Sequence, residues 1–151
     1  MAATFENFGL QFLYPENWRI VEQSQGEMYS ASVTLQSPGT ACWTVHRYPS
    51  TCSQQQLMDE LMAAMRREYA ELEEEPFVKQ LTGQESRGIR IYFYYLDLLV
   101  SWCLMPITKE GQVFLFEFQA EDHEFDDMET VFLAISTSVL GNAPSSVSEE
   151  S

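Results

Sequence analysis

Positive charge is what this sequence has least of. Eight of its 151 residues are Lys or Arg, against 23 Asp or Glu, for a formal net charge of −15. Nucleic acid and anionic lipid both bind by having their own negative charge neutralised, so neither is an expected partner, and no membrane insertion is expected. Glycine is also scarce, with seven in all. No Gly-x-Ser-x-Gly, Gly-x-Gly-x-x-Gly or Gly-Lys-Ser/Thr occurs, which excludes the nucleophile elbow and the phosphate-cradling loops. The three cysteines, Cys42, Cys52 and Cys103, are too few and too scattered for a disulfide framework or a thiol zinc site. Only Ile89 to Ile107 is long enough to raise a membrane span, and it contains Arg90, Asp97 and Pro106, so it reads as buried strands. Met1 to Glu6 lacks the basic residue and apolar run of a secretory signal, which makes a cytoplasmic, reducing location the expectation.

What is present suffices for a core: 45% hydrophobic and 13% aromatic residues. The length predicts one domain, over residues 1–141, followed by a disordered serine- and glutamate-rich tail, 142–151. Tyr14-Pro15-Glu16-Asn17-Trp18 lies between the apolar runs Leu10–Leu13 and Trp18–Val21. Proline and asparagine there predict a strand, a corner and a second strand, with Trp18 as a core anchor. Alternation predicts further strands over Ser30–Gln36 and Ala41–Tyr48. Met58, Met62, Met65, Tyr69 and Leu72 form one helical stripe, so Ser53–Leu72 is predicted as a helix capped by Ser53 with Gln56 three residues on. Phe77–Leu81, Ile89–Leu96, Leu98–Ile107 and Val113–Ala120 read as strands, with a hairpin at Lys109-Glu110-Gly111. The boundary near Asp97 has no glycine to mark it. Phe125, Met128, Phe132, Ile135 and Val139 predict a second helix over Asp122–Leu140, with Gly141 as its C-terminal cap. The order β–β–β–β–α–β–β–β–β–α, with strands apolar on both faces, predicts an α+β fold: an α/β/α sandwich around a largely antiparallel central sheet.

Residues that could carry chemistry are few. Glu121-Asp122-His123-Glu124-Phe125-Asp126-Asp127 lacks the order of a calcium loop and the His-x-x-x-His pair of a zinc site, and acidic residues suit the positive end of a helix. Glu71, Glu73, Glu74 and Glu75 would stand at the C-terminal end of the first helix, where negative charge opposes the dipole, which makes them the candidate partner-binding residues. His46 shares strand parity with Cys42, Thr44 and Tyr48, too far along one strand for a Cys–His nucleophile pair. No catalytic residue, metal or cofactor is expected. The alternative is a metal-dependent binder or enzyme using His46, His123 and nearby carboxylates.

Gly9 to Trp18, a short strand followed by Tyr14-Pro15, two residues and Trp18, resembles the opening of the PsbP/Mog-like domains and their bacterial DcrB-like relatives. The similarity in element order runs from about Phe5 to Leu140, and Ile135-Ser136-Thr137-Ser138-Val139 is similar to the family's closing segment. The resemblance implies the same α/β/α sandwich and a role in binding other proteins: photosystem accessory subunits, Ran-GTPase binders and chaperone-like adaptors are members, and enzymes are not typical. It transfers no functional residue, and the photosystem subunit's basic contact surface has no counterpart here. The expectation is therefore a non-enzymatic adaptor or chaperone-like module that takes a basic or amphipathic protein segment, its oligomeric state open.

Overall fold

The computed structural model describes residues 1–26 and 30–142. Among the described residues nine strands and two helices follow in the order β1 (Ala2–Asn7), β2 (Leu10–Pro15), β3 (Arg19–Gln25), β4 (Ala31–Gln36), β5 (Cys42–Tyr48), α1 (Gln54–Glu68), β6 (Glu73–Leu81), β7 (Gln84–Tyr95), β8 (Leu98–Lys109), β9 (Gln112–Glu121) and α2 (Asp122–Gly141). Strands β3 to β9 form one sheet in the order β3-β4-β5-β9-β8-β7-β6, every neighbouring pair antiparallel. This is the α+β sandwich that the pattern predicts. Of the expected tail, 142–151, all but Asn142 lies outside the described residues.

Alternation along the strands explains the two layers that cover the sheet. Val33, Leu35, Trp43, Val45, Phe116 and Phe118 face α2, whose Phe125, Phe132, Ile135 and Val139 complete that core. Trp43 Nε1 donates to Ser136 Oγ at 2.9 Å inside it, so the one polar atom of the largest buried side chain is satisfied. On the opposite face, Met58, Met62 and Met65 of α1 lie on Ile91, Phe93, Leu104 and Leu115. Ser53 caps α1 as its spacing predicts, accepting from Gln56 N at 3.3 Å. The helix stops at Glu68, four residues before the predicted end, because Tyr69 turns extended and packs its ring 4.3 Å from Phe93.

The opening segment departs from expectation. Tyr14–Trp18 does turn the chain, and Trp18 is buried edge-on against Phe132, but the runs on either side do not pair with each other. β2 pairs with β1, an unpredicted strand, in a separate two-stranded ribbon, while β3 joins the main sheet beside β4. The ribbon closes over the α2 core through Phe5, Leu10 and Phe12. Leu13 N donates to Ser138 Oγ at 2.8 Å, and Arg47 Nη1 donates to Phe8 O at 2.5 Å, tying the ribbon to helix and sheet. At the other end of the chain, Asn142 rather than Gly141 caps α2.

Candidate functional site

Four hairpins in the described chain turn through two residues that both have positive φ: Phe8-Gly9, Thr82-Gly83, Leu96-Asp97 and Glu110-Gly111. Such turns match the twist of antiparallel strands and favour glycine or asparagine. Three carry glycine at the second position. The β7–β8 turn carries none: Leu96 sits at φ 51° and Asp97 at φ 66°. A leucine side chain crowds the backbone in that region, at a cost of about 1–2 kcal/mol. Leu96 is also the most exposed of the tip's apolar residues, at 80%, with Tyr94 at 69%, Tyr95 at 56% and Leu98 at 53%. The missing glycine is what hid this boundary from the sequence.

Beside the tip lies a cleft of about 630 Å³ lined by Glu71, Leu72, Glu73, Glu75, Tyr92, Phe93, Tyr94 and Leu99. The structure moves the glutamates from their expected place. They do not end α1; Glu73, Glu74 and Glu75 open β6, the edge strand, where Pro76 is tolerated because an edge needs fewer ladder donors. Strand parity then divides them. Glu73 and Glu75 point to the α2 side with Phe77, which packs edge-on against Phe118 and Phe125. Glu74 points to the α1 side, where Arg66 Nη2 donates to both its oxygens at 3.0 and 3.1 Å. Glu71 precedes the strand and reaches the cleft's rim. Three of the four predicted residues therefore share one site, and Glu74 belongs to another face.

Two acidic stretches far apart in sequence approach each other here. Tyr92 OH donates to Glu75 Oε1 at 2.5 Å. The Arg90 guanidinium lies 4.9 Å from the Tyr92 ring centre, and its Nη2 donates to Asp122 Oδ1 at 3.4 Å and Asp126 Oδ1 at 3.2 Å, in the first turns of α2. Burial first, then the bond to Glu75, pushes the Tyr92 phenol up to about 12. Glu121 and Glu124 of the same stretch hold the fold together. Glu121 caps α2 by accepting from His123 N and Glu124 N, and Glu124 accepts from Thr40 N and Oγ1, holding the β4–β5 turn.

The histidines stay apart. His123 is exposed at the start of α2, bonded at Nδ1 to Glu121, whose carboxylate raises its pKa. His46 lies on the α1-side face of the sheet, in a row that sequence reasoning missed. Ser32 Oγ is 2.7 Å from His46 Nδ1, His46 Nε2 is bonded to Glu117 Oε2, and Trp102 Nε1 donates to Glu117 Oε1 at 2.9 Å. These residues come from four adjacent strands, so only the cross-strand register, with Ser32 opposite His46, brings them together. The row has the order of a nucleophile–base–acid relay. Acyl transfer would also require donors aimed at a developing oxyanion, and the neighbouring hydroxyls on this face, Thr34 and Thr44, are bonded to each other at 3.0 Å. Among the described residues no three His, Cys, Asp or Glu side chains are placed to hold a metal ion.

No family model and no curated protein matches the sequence. Solved structures do share the fold. The solution structure of the cyanobacterial PsbP, CyanoP, of Synechocystis superposes with a TM-score of 0.56 over 91% of this chain and 90% of that one, at 14% identity. A Bacteroides thetaiotaomicron crystal structure reaches 0.53 at 14% identity, over 78% of this chain and 41% of that one. A Pseudomonas aeruginosa protein of unknown function reaches 0.50 at 9% identity, over 85% and 89%. At these identities the likeness is one of architecture: the chain has a PsbP-like fold, as the opening motif and element order imply.

Proposed function

We propose that this protein is a non-enzymatic interaction module whose docking surface is the β7–β8 tip with the adjoining cleft, and whose partner is a basic, amphipathic protein segment. The observation that carries this reading is the apolar tip itself: Leu96 at 80% exposure stands with Tyr94, Tyr95 and Leu98, each more than half exposed, on the one of the four hairpin turns without a glycine. Apolar side chains gathered in solvent at a turn that asparagine and glycine would suit better are retained for contact rather than for folding. Charge selects the partner's chemistry. Glu71, Glu73 and Glu75 line the cleft together with Leu72, Tyr94 and Leu99, so a segment alternating cationic and apolar side chains meets both kinds of group. A second copy of this chain, at net charge −15, does not supply the cations. The three cysteines form no disulfide, which suits a reducing, cytoplasmic setting.

A short blocked peptide alternating leucine with basic residues is the direct probe. It is expected to bind the full chain at low ionic strength and to weaken as salt rises, while the same peptide with glutamine for each basic residue does not bind. Equal binding of the two peptides would overturn the charge argument. The enzymatic alternative draws on the Ser32–His46–Glu117 row and has its own test. A fluorophosphonate probe is expected to leave Ser32 unlabelled; labelling that disappears in His46→Gln would replace the interaction module with a serine hydrolase.

A further inference from the structure

From the cleft's walls we infer that the docking surface selects arginine over lysine as the partner's anchoring cation, an inference that rests on the reading of this cleft as a docking site. A carboxylate pocket without aromatic walls treats the two cations as similar point charges. This one pairs its carboxylates with rings. Tyr94, opposite Leu99 in the β7–β8 ladder, stands 69% exposed at the cleft's wall, and Tyr92 is fixed beside it by its bond to Glu75. That bond uses one oxygen of Glu75, and Glu73, two residues earlier on the same strand face, adds a second carboxylate to the lining. Arginine's planar guanidinium offers parallel N–H donors to carboxylates while its face lies on an aromatic ring; the ammonium of lysine is compact, strongly hydrated and without a face to stack. The protein pairs rings and carboxylates with both cations: Lys79 Nζ meets one ring, Phe77, at 5.0 Å and one carboxylate, Glu129, at 3.0 Å, whereas a guanidinium spans two of each. Arg90 lies over the rings of Tyr92, at 4.9 Å, and Phe125, at 4.1 Å, while donating to Asp122 and Asp126. The cleft presents the same pairing of rings and carboxylates to solvent, without an arginine of its own among its lining residues.

The test titrates the full chain with two blocked peptides that differ only in having arginine or lysine at every basic position. The arginine peptide is expected to bind about fivefold or more tightly. Tyr94→Ala is expected to bring the ratio close to one, whereas Glu73→Gln weakens both peptides and leaves a preference. Equal affinities, a lysine preference, or a ratio that Tyr94→Ala does not change would overturn arginine selection while leaving the docking site in place. Failure of both peptides to bind would remove the docking site and this inference together. Tyr94 is exposed, so Tyr94→Ala is expected to keep the fold, which the far-UV spectrum of the variant checks.

Discussion

Arg90→Leu is expected to lower the stability of the domain by about 3 kcal/mol, read as a fall in the urea midpoint at unchanged slope. Arg90 is only 9% exposed, yet it is charged and lies mid-strand in β7. Its environment compensates it from every side. Nε and Nη2 donate to Ser101 Oγ at 3.3 and 3.0 Å, Nη2 reaches the two α2 aspartates, and the guanidinium stacks on Phe125 and Tyr92. Ser101 Oγ passes the network on to Asp122 at 2.7 Å. Leucine would fill part of the volume but strand these partners, and an acceptor left without its donor in a poorly hydrated place costs more than the bond itself contributed. Asp126 is largely exposed and can return to water, so the cost concentrates on Ser101 and Asp122. Adding Asp122→Asn to Arg90→Leu is therefore expected to recover part of the loss, because the stranded charge disappears with its partner. Arg90→Lys is expected to restore little, since the stacked, forked geometry belongs to guanidinium.

The second large effect has the opposite sign for stability and weakens binding. Replacing Leu96-Asp97 by Asn-Gly gives the β7–β8 hairpin the residues its positive-φ turn favours, and is expected to stabilise the domain by about 1–2 kcal/mol. The same change removes the most exposed leucine of the tip, and the basic amphipathic peptide is expected to lose at least about tenfold in affinity. The conjunction matters more than either result. A substitution that improves folding while removing binding identifies a residue kept for contact with something outside the chain. A stabilised variant that binds as before would mean that the tip is merely a poor turn.

Much of the scaffold was legible because its signals are local. The methionine stripe of α1, the aromatic steps of α2 and the burial of Trp18 follow from spacing that no distant contact alters. What escaped depended on pairings between remote residues or on rules relaxed at an edge. β1 was missed because only Phe5 is buried among its six residues, leaving no alternation to see. Glu73–Glu75 read as the end of a helix because glutamate is depleted in strands, but an edge strand that must resist pairing with strangers accommodates charge and proline. The cleft was half visible. Its acidic residues were singled out from the sequence, whereas the separation of Glu74 from Glu73 and Glu75 needed the strand parity. The tip needed a turn without glycine, and the Ser32–His46–Glu117 row needed a register across three strands.

The docking account is tested most directly by mapping backbone amide shifts of the full chain as the leucine–arginine peptide is added. The account predicts that the shifted residues cluster at Glu71–Glu75 and Tyr92–Leu99, and that the Asn-Gly tip variant shows no such cluster at the same peptide concentration. Shifts centred instead on the Ser32–His46 row, or on the apolar groove between Leu13 and Val131, would contradict it.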